Sequence, residues 1–593
     1  MSSPTTPPAS LVRPGSLGVP RYRRLLGVAT ERWVQVLGLG IVGLLVLSPV
    51  VPIVYQSLID RPLYESGAIL TLNNYADLFS DAGFGQVAIN TILFATLTTL
   101  FTLVIAVPLA IVIVRTRLPG AWLFGSALKW PFFISSLILG FGWLTMYGPA
   151  GFVSSWVSRT FGFVPWDLYT IPGMALVEAV ALTPIVYLFC ANALLQTDAS
   201  LESAARVAGA GPFRILRSVV LPLLRPPILY SALLTVSISL ETLSIPLLFG
   251  GPVNIDVFST FLFRRGLQSI RPDYGILAAA SVIILITTVG LVVLQARLLR
   301  NSQRFVSVRG KATRPRPFDF GWLRWIAVAF VTIYVVFGAL IPLGGLVLRS
   351  FTRVFTPLRN PFASLTLENY ETIFRFETYV QSIGNSLIVA GVGAIVVSAL
   401  AVLAVMIARR STFRYGRIVE SLALLPQAMP GLIVGIGFFW AFALAPLGFG
   451  ALVQGTLIAI IIGFGVRALP AAFGSVAPVT MQVAGELDNA ARVAGADWLR
   501  TFRSILARLI APAFGGALIL VFVTMMKEYT PAVFLGTANT NVIGTTMLEL
   551  WIQGTSDVVA ALATIQIVLT AVIVAIAGRL FRGHVDAREN ADA

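Results

Sequence analysis

The sequence predicts an all-α polytopic membrane protein built as two tandem six-helix modules, about twelve transmembrane helices in all. Three observations carry this. Of 593 residues, 57% are hydrophobic and only 11% charged, with mean hydropathy +0.87; a soluble chain of this size needs far more charge to cover its surface. Apolar runs of about 20 residues, the length that crosses a hydrocarbon core, recur from end to end. The chain also repeats itself, first half onto second.

The apolar runs place spans near 33–57, 87–114, 121–147, 171–195, 228–250 and 273–298, then near 324–349, 385–408, 417–441, 451–475, 513–537 and 556–581. This divides the chain into a leader (1–32), a first module (33–298), a basic linker (299–323), a second module (324–581) and a tail (582–593). The leader is Pro/Ser-rich and then basic (Arg13, Arg21, Arg23, Arg24). No cleavage-site pattern follows its first apolar run, so it reads as a disordered cytoplasmic segment and not a signal peptide.

The formal charge of +16 raises nucleic acid as a partner, but the positions of the charges argue against it. The basic residues gather in short hydrophilic segments between apolar runs, and nearly all are Arg; Lys occurs only at Lys129, Lys311 and Lys527. The leader, the 196–227 loop, the linker (Arg300, Arg304, Arg309, Lys311, Arg314, Arg316) and the 476–512 loop are Arg-rich and fall on one side of a twelve-span chain. The positive-inside rule makes that side cytoplasmic, with both termini. Loops on the other side mix signs, although Arg264, Arg265 and Arg271 form a basic cluster that runs against the rule locally. The implied partner of the surface is the lipid bilayer. Cys190 is the only cysteine and His584 the only histidine, which excludes internal disulfides and a histidine metal cluster. No cofactor is implied.

The repeat is specific. Leu70-Thr71-Leu72-Asn73-Asn74-Tyr75 returns as Leu365-Thr366-Leu367-Glu368-Asn369-Tyr370, an offset of 295. Asn90-Thr91 returns as Asn385-Ser386, and Gly140 and Gly142 return as Gly435 and Gly437, at the same offset. Beyond these the offset falls to 286, where Pro184 matches Pro470 and Leu201 matches Leu487. The difference lies in the loop after the third span, long in the first half (about 150–170) and short in the second, as surface loops tolerate.

The two Arg-rich loops carry the most informative motif. One reads Leu201-Glu202-Ser203-Ala204-Ala205-Arg206-Val207-Ala208-Gly209-Ala210; the other reads Leu487-Asp488-Asn489-Ala490-Ala491-Arg492-Val493-Ala494-Gly495-Ala496. Each predicts a short helix ended by a Gly free to take φ > 0. Small Ala and Gly side chains let another surface approach the backbone, and two copies related by a pseudo-twofold suit a symmetric two-subunit partner. No Gly-x-x-x-x-Gly-Lys-Ser/Thr loop accompanies them: the only Gly-Lys pair, Gly310-Lys311, has Phe305 where the first Gly is needed. The chain therefore does not bind and hydrolyse ATP in the usual way.

These loops resemble the EAA loop of binding-protein-dependent ABC importers, the type I permease superfamily, in its fused two-module form. The Leu-Thr-Leu-x-Asn-Tyr segment and the Pro426–Gly437 stretch resemble that family too. The resemblance implies that Glu202, Ala204, Ala205 and Gly209, with Asp488, Ala490, Ala491 and Gly495, face two ABC ATPase subunits, and that a periplasmic substrate-binding protein docks opposite. Ser203 and Asn489 depart from the family's second acidic residue, and Arg508 stands where the first copy has Pro222. Leu240–Pro246 and Met526-Lys527-Glu528 look most like the ferric-iron permease group, with thiamine, phosphonate and polyamine permeases as near relatives. An ion-coupled secondary transporter also has twelve helices but leaves the duplicated loops unexplained.

Ionisable residues inside spans imply function by default. Glu241 and Glu528 lie in the fifth spans at offset 287; the resemblance implies a pair lining or gating the pathway, and a packing hydrogen bond is the alternative. Glu178 and Arg467 lie in the fourth spans, and the expectation is that they pair across the two halves, with snorkelling as the alternative. Lys527 is expected to be neutralised by the adjacent Glu528.

Overall fold

The computed structural model describes residues 21–197, 199–269, 272–300, 321–445 and 448–589. The first part of the leader, the linker from 301 to 320, Arg271 and the last four residues lie outside these. Among the described residues the chain is helical throughout and has no strand, only isolated bridges pairing Ile59 with Leu70 and Thr352 with Leu365. Ten helices among the described residues are long and apolar enough to cross a membrane, and three bent pairs raise the number to thirteen. The leader, expected to be disordered to residue 32, is helical from Arg21, continuous with the first span.

Second, fourth and sixth spans run as single helices: Gly83–Arg115, Ile171–Gln196 and Tyr274–Leu298 in the first half, Glu377–Arg410, Leu457–Gln482 and Ser556–Arg579 in the second. Third and fifth spans depart from expectation. The third breaks in both halves, Gly416–Ala428 meeting Gly431–Ala443 at 114°, and Trp130–Phe133 giving way to Ser136–Tyr147. Pro430 has no N–H to carry a helix forward and restricts Met429 before it; in the first half Ser135 caps the new helix by accepting from the Ile138 N–H at 3.2 Å. The fifth helices start early and stop early, at Pro212–Glu241 and Trp498–Lys527. Beyond them the chain does not continue the span but turns through short helices, Pro246–Gly250 and Phe258–Phe263 in one half and Ala532–Leu535 and Ile543–Ile552 in the other. Hydropathy windows register the apolar composition of these hairpins and not their direction, which is why they read as span.

The sequence repeats are the fixings of this frame. Asn74 donates to the Ser57 and Ile59 carbonyls at 3.1 and 2.8 Å, and Asn369 donates to those of Ser350 and Thr352 at 3.0 and 2.9 Å. Tyr75 and Tyr370 meet Ser57 and Ser350 through their hydroxyls. Asn90 donates to the Asp256 carbonyl at 2.9 Å while Thr91 accepts from the Phe258 N–H at 2.8 Å, pinning the first hairpin to the second span. Asn385 and Ser386 do the same for Asn541 and Ile543 at 2.9 and 2.8 Å.

The halves interlock through their first spans. The Pro342 backbone lies against Gly142 and the Pro49 backbone against Gly437, so a Cβ at either glycine would run into the other half's main chain. Trp143 and Tyr147 donate to the Gly338 and Phe337 carbonyls, and Tyr334 to that of Val180. On the face opposite the Arg-rich loops, Arg264 and Arg265 are paired with Asp256 and Asp81, which removes much of the local conflict with the charge rule.

Candidate functional site

Two features stand out: a charged cavity on the seam between the halves and the pair of loops on the Arg-rich face. The breaks described above build the first. The ends of both fifth helices, the residues that follow them and the first half's third-span break, with Phe132 and Ser135, line a cavity of about 250 Å³. Arg467 reaches it from ten residues into the fourth helix, about 15 Å along a span, so the cavity lies deep within the apolar layer.

Arg467, from the second half, donates through Nη1 and Nη2 to the Glu241 carboxylate of the first half at 2.7 and 3.2 Å. Its Nε donates to Glu528 at 3.0 Å, and Nη1 also reaches the Met429 carbonyl at 2.8 Å. That carbonyl is left open by the third-span break. The planar guanidinium fork thus holds two carboxylates and a backbone oxygen at once. Glu528 is fixed further by the N–H groups of Tyr529 and Thr530 at 3.1 and 3.0 Å and by the Thr530 hydroxyl.

Glu178 is fully buried and accepts from the Thr242 hydroxyl at 2.9 Å. The expected Glu178–Arg467 pair is therefore absent, and the ion pair that crosses the halves is Glu241–Arg467. The reason is geometric: the fifth helix ends at Glu241 and presents its last carboxylate to the seam. Glu241 and Glu528 are also not strictly equivalent, since Lys527 is the last helical residue of its copy and Glu528 follows it. Lys527 does not pair with Glu528; it donates to the Phe132 carbonyl at 2.8 Å and lies over that ring at 4.5 Å. The parts that sequence reasoning missed are Thr242, the Ser244–Tyr529 hydroxyl pair at 2.9 Å across the halves, and the break carbonyls. Polar residues flanking Pro246 and Pro531 were the available signal.

The loops repeat each other closely. The helices Ala199–Val207 and Glu486–Val493 end in glycines at φ 78° and 83°. In each, the Gly209 or Gly495 N–H reaches the Arg206 or Arg492 carbonyl, and the N–H of Ala210 or Ala496 reaches that of Ala205 or Ala491, with distances of 2.9 to 3.0 Å. This is the doubled C-cap that requires a left-handed residue. Ala204 and Gly209 are exposed, as is Ala490; Ala205 and Gly495 are half-buried and Ala491 is buried. Val207 and Val493 are each 90% exposed at the helix tips, an apolar end left uncovered by the described residues.

The acids of these loops point inward instead. Glu202 is 4% exposed and pairs with Arg115 at 3.0 Å, while Arg115 also donates to Thr197. Asp488 pairs with Arg410 at 3.1 Å, and Arg410 also donates to the Thr480 and Val483 carbonyls. Arg115 and Arg410 end the two second spans at offset 295, a repeat visible in the sequence. Each loop is thus bolted to a long span through its own acid, and Glu202 and Asp488 are not free to face another protein.

Two interlocked six-span halves, a charged seam and a twice-built presenting loop define an integral-membrane protein of two repeated modules. The chain belongs to the family of binding-protein-dependent transport system inner membrane components, whose model matches residues 82–304 and 401–590. It is 28% identical to the ferric transport system permease protein FbpB of Actinobacillus pleuropneumoniae over 75% of this chain and 64% of that one, so it spans less than two thirds of that relative's length. It is 23% identical to a probable ABC transporter permease protein of Sinorhizobium fredii over 90% and 94% of the two chains. Among solved structures, a bacterial ABC transporter involved in import of the acidic polysaccharide alginate is 19% identical at a TM-score of 0.37, covering 48% of this chain and 98% of that one.

Proposed function

We propose that this chain is the non-catalytic permease subunit of an ATP-driven importer in the bacterial inner membrane, with both termini cytoplasmic. Its modules, 33–298 and 324–581, form one pathway between them. A periplasmic binding protein delivers the solute, and two ABC ATPase subunits seat the loops 196–227 and 476–512, where Ala204, Gly209, Ala490 and the valine tips are the contact surface. The single observation that carries this reading is the duplicated loop, exposed and apolar at its tip and held by a buried or half-buried arginine pair at its base. Closure of the ATPases on ATP moves both loops, the arginine pairs pass the motion to the second spans, and the Glu241–Arg467 seam opens and shuts. Glu241, Arg467, Glu528 and Glu178 line the pathway. The cargo is ferric iron, a choice supported by the FbpB relatives, in preference to thiamine, a phosphonate or a polyamine.

Uptake into right-side-out membrane vesicles carrying the chain with its ATPase and binding protein tests this. Iron uptake should follow internal ATP and ignore collapse of the proton gradient. Uptake that follows the gradient and ignores ATP would make the chain an ion-coupled carrier.

A further inference from the structure

We propose that Glu178 is the resting point of a hard cation in transit, the one carboxylate in the pathway that has no counter-charge of its own. This rests on the permease reading above and names the group in the cavity that meets the cargo. Three carboxylates, Glu178, Glu241 and Glu528, line the cavity with two cations, Arg467 and Lys527. Both cations are committed elsewhere: Arg467 to Glu241 and Glu528, Lys527 to the Phe132 carbonyl and ring. Glu178 receives a single hydroxyl, that of Thr242, on Oε1. Its Oε2 is buried without a hydrogen-bond partner, on a side chain 0% exposed.

A buried carboxylate oxygen without a partner in an apolar layer is costly, and an ionisable group in such a place points to function by default. With all five groups ionised, three carboxylates against two cations leave one negative charge, which favours a cation in this cavity and disfavours an anion. Hydroxyl oxygens, which are hard neutral ligands, line the same cavity from Ser135, Thr242, Ser244 and Tyr529. Among the described residues no three of His, Cys, Asp and Glu converge to hold a metal ion. One carboxylate with hydroxyls is a loose site, and passage needs binding strong enough to enter and weak enough to leave. When the halves part, Arg467 stays with Glu528 on its own half, and Glu241 joins Glu178 on the other. An arriving cation then takes the place that Arg467 leaves.

The rival occupant of Oε2 is a proton, and Glu178→Gln separates the two because it mimics the protonated acid and keeps an acceptor for Thr242. The complete complex is reconstituted in proteoliposomes with radioiron-loaded binding protein, reading iron uptake and binding-protein-stimulated ATP hydrolysis together. The glutamine variant should lose uptake by about tenfold or more while stimulated hydrolysis stays near wild type, and Glu178→Asp, which keeps the charge, should retain more uptake than glutamine. Wild-type uptake in the glutamine variant overturns the proposal, as does loss of hydrolysis in step with uptake, which marks a packing role. If the glutamine variant does not assemble, an aspartate variant that assembles but moves no iron overturns it equally. Failure of the wild-type complex to move iron, with ATP-driven uptake of another solute, defeats the iron reading itself and is told apart by the wild-type arm alone.

Discussion

Replacing Arg467 with methionine should destabilise the protein by about 3–5 kcal/mol, the range for removing one partner from a buried ion pair. The change leaves Glu241 and Glu528 facing each other across the seam, with side chains only 18% and 13% exposed. It also frees the Met429 carbonyl at the third-span break. Thermal unfolding of the purified complex reads the loss. Adding Glu241→Gln should recover part of it, because the second change removes the charge that the first one stranded. A double-mutant cycle on the two positions then gives a coupling energy well above the additive limit of about 0.5 kcal/mol. On the proposed gating at the Glu241–Arg467 seam, loss of this cross-half tie should raise ATP hydrolysis in the absence of binding protein.

Arg115→Met is expected to have the next largest effect, and a more local one. Arg115 and Glu202 are 2% and 5% exposed at the side chain and 3.0 Å apart, so stranding the glutamate again costs about 3–5 kcal/mol. The cost falls on the loop: hydrogen exchange should accelerate over 199–210 while the helical core of the first half keeps its protection. Iron uptake should drop further than ATP hydrolysis, because the ATPases still turn over on a loop that no longer pulls its span. Glu202→Gln should be milder, since the amide keeps an acceptor for Arg115. The second copy should tolerate the same change better, because Asp488 is 18% exposed and Arg410 retains two backbone carbonyls. Exchange spread over the whole half, or none beyond wild type, would show that the pair does not anchor the loop.

Much of this architecture was legible in the chain. The repeats that revealed two halves turn out to be the residues that fix them: Asn74 and Asn369 tie the first span to the helix after it, Asn90 and Asn385 hold the hairpins, and Gly142 and Gly437 admit the opposite half's backbone. Residues that make backbone contacts of fixed geometry leave little room for substitution, so the two copies still match at them. The loops were legible for the same reason, through glycines at positive φ. The broken spans were not. Apolar residues predominate through Leu240–Leu248 and Leu424–Ile436, and the prolines at 246, 426 and 430, with a few polar residues beside them, were all that marked where direction changes. The pairing at the seam followed from those breaks and was missed with them. Glu178 and Arg467 sit in matching spans, but a helix that stops at Glu241 delivers a different carboxylate to the guanidinium. The inward turn of Glu202 and Asp488 was missed because a motif read within one loop does not show the arginine that ends a distant helix.

Seating of an ATPase on the two loops is tested most directly by co-purification. The tagged chain is drawn from membranes as wild type and as Gly209→Asp with Gly495→Asp, positions where the chain turns through positive φ and where a charged side chain would enter the contact. An ATPase subunit should come with the wild type, in a two-to-one ratio, and be lost from a variant that still purifies as a folded membrane protein. Purification of the wild type without any ATPase, together with transport driven by the proton gradient, would contradict that seating.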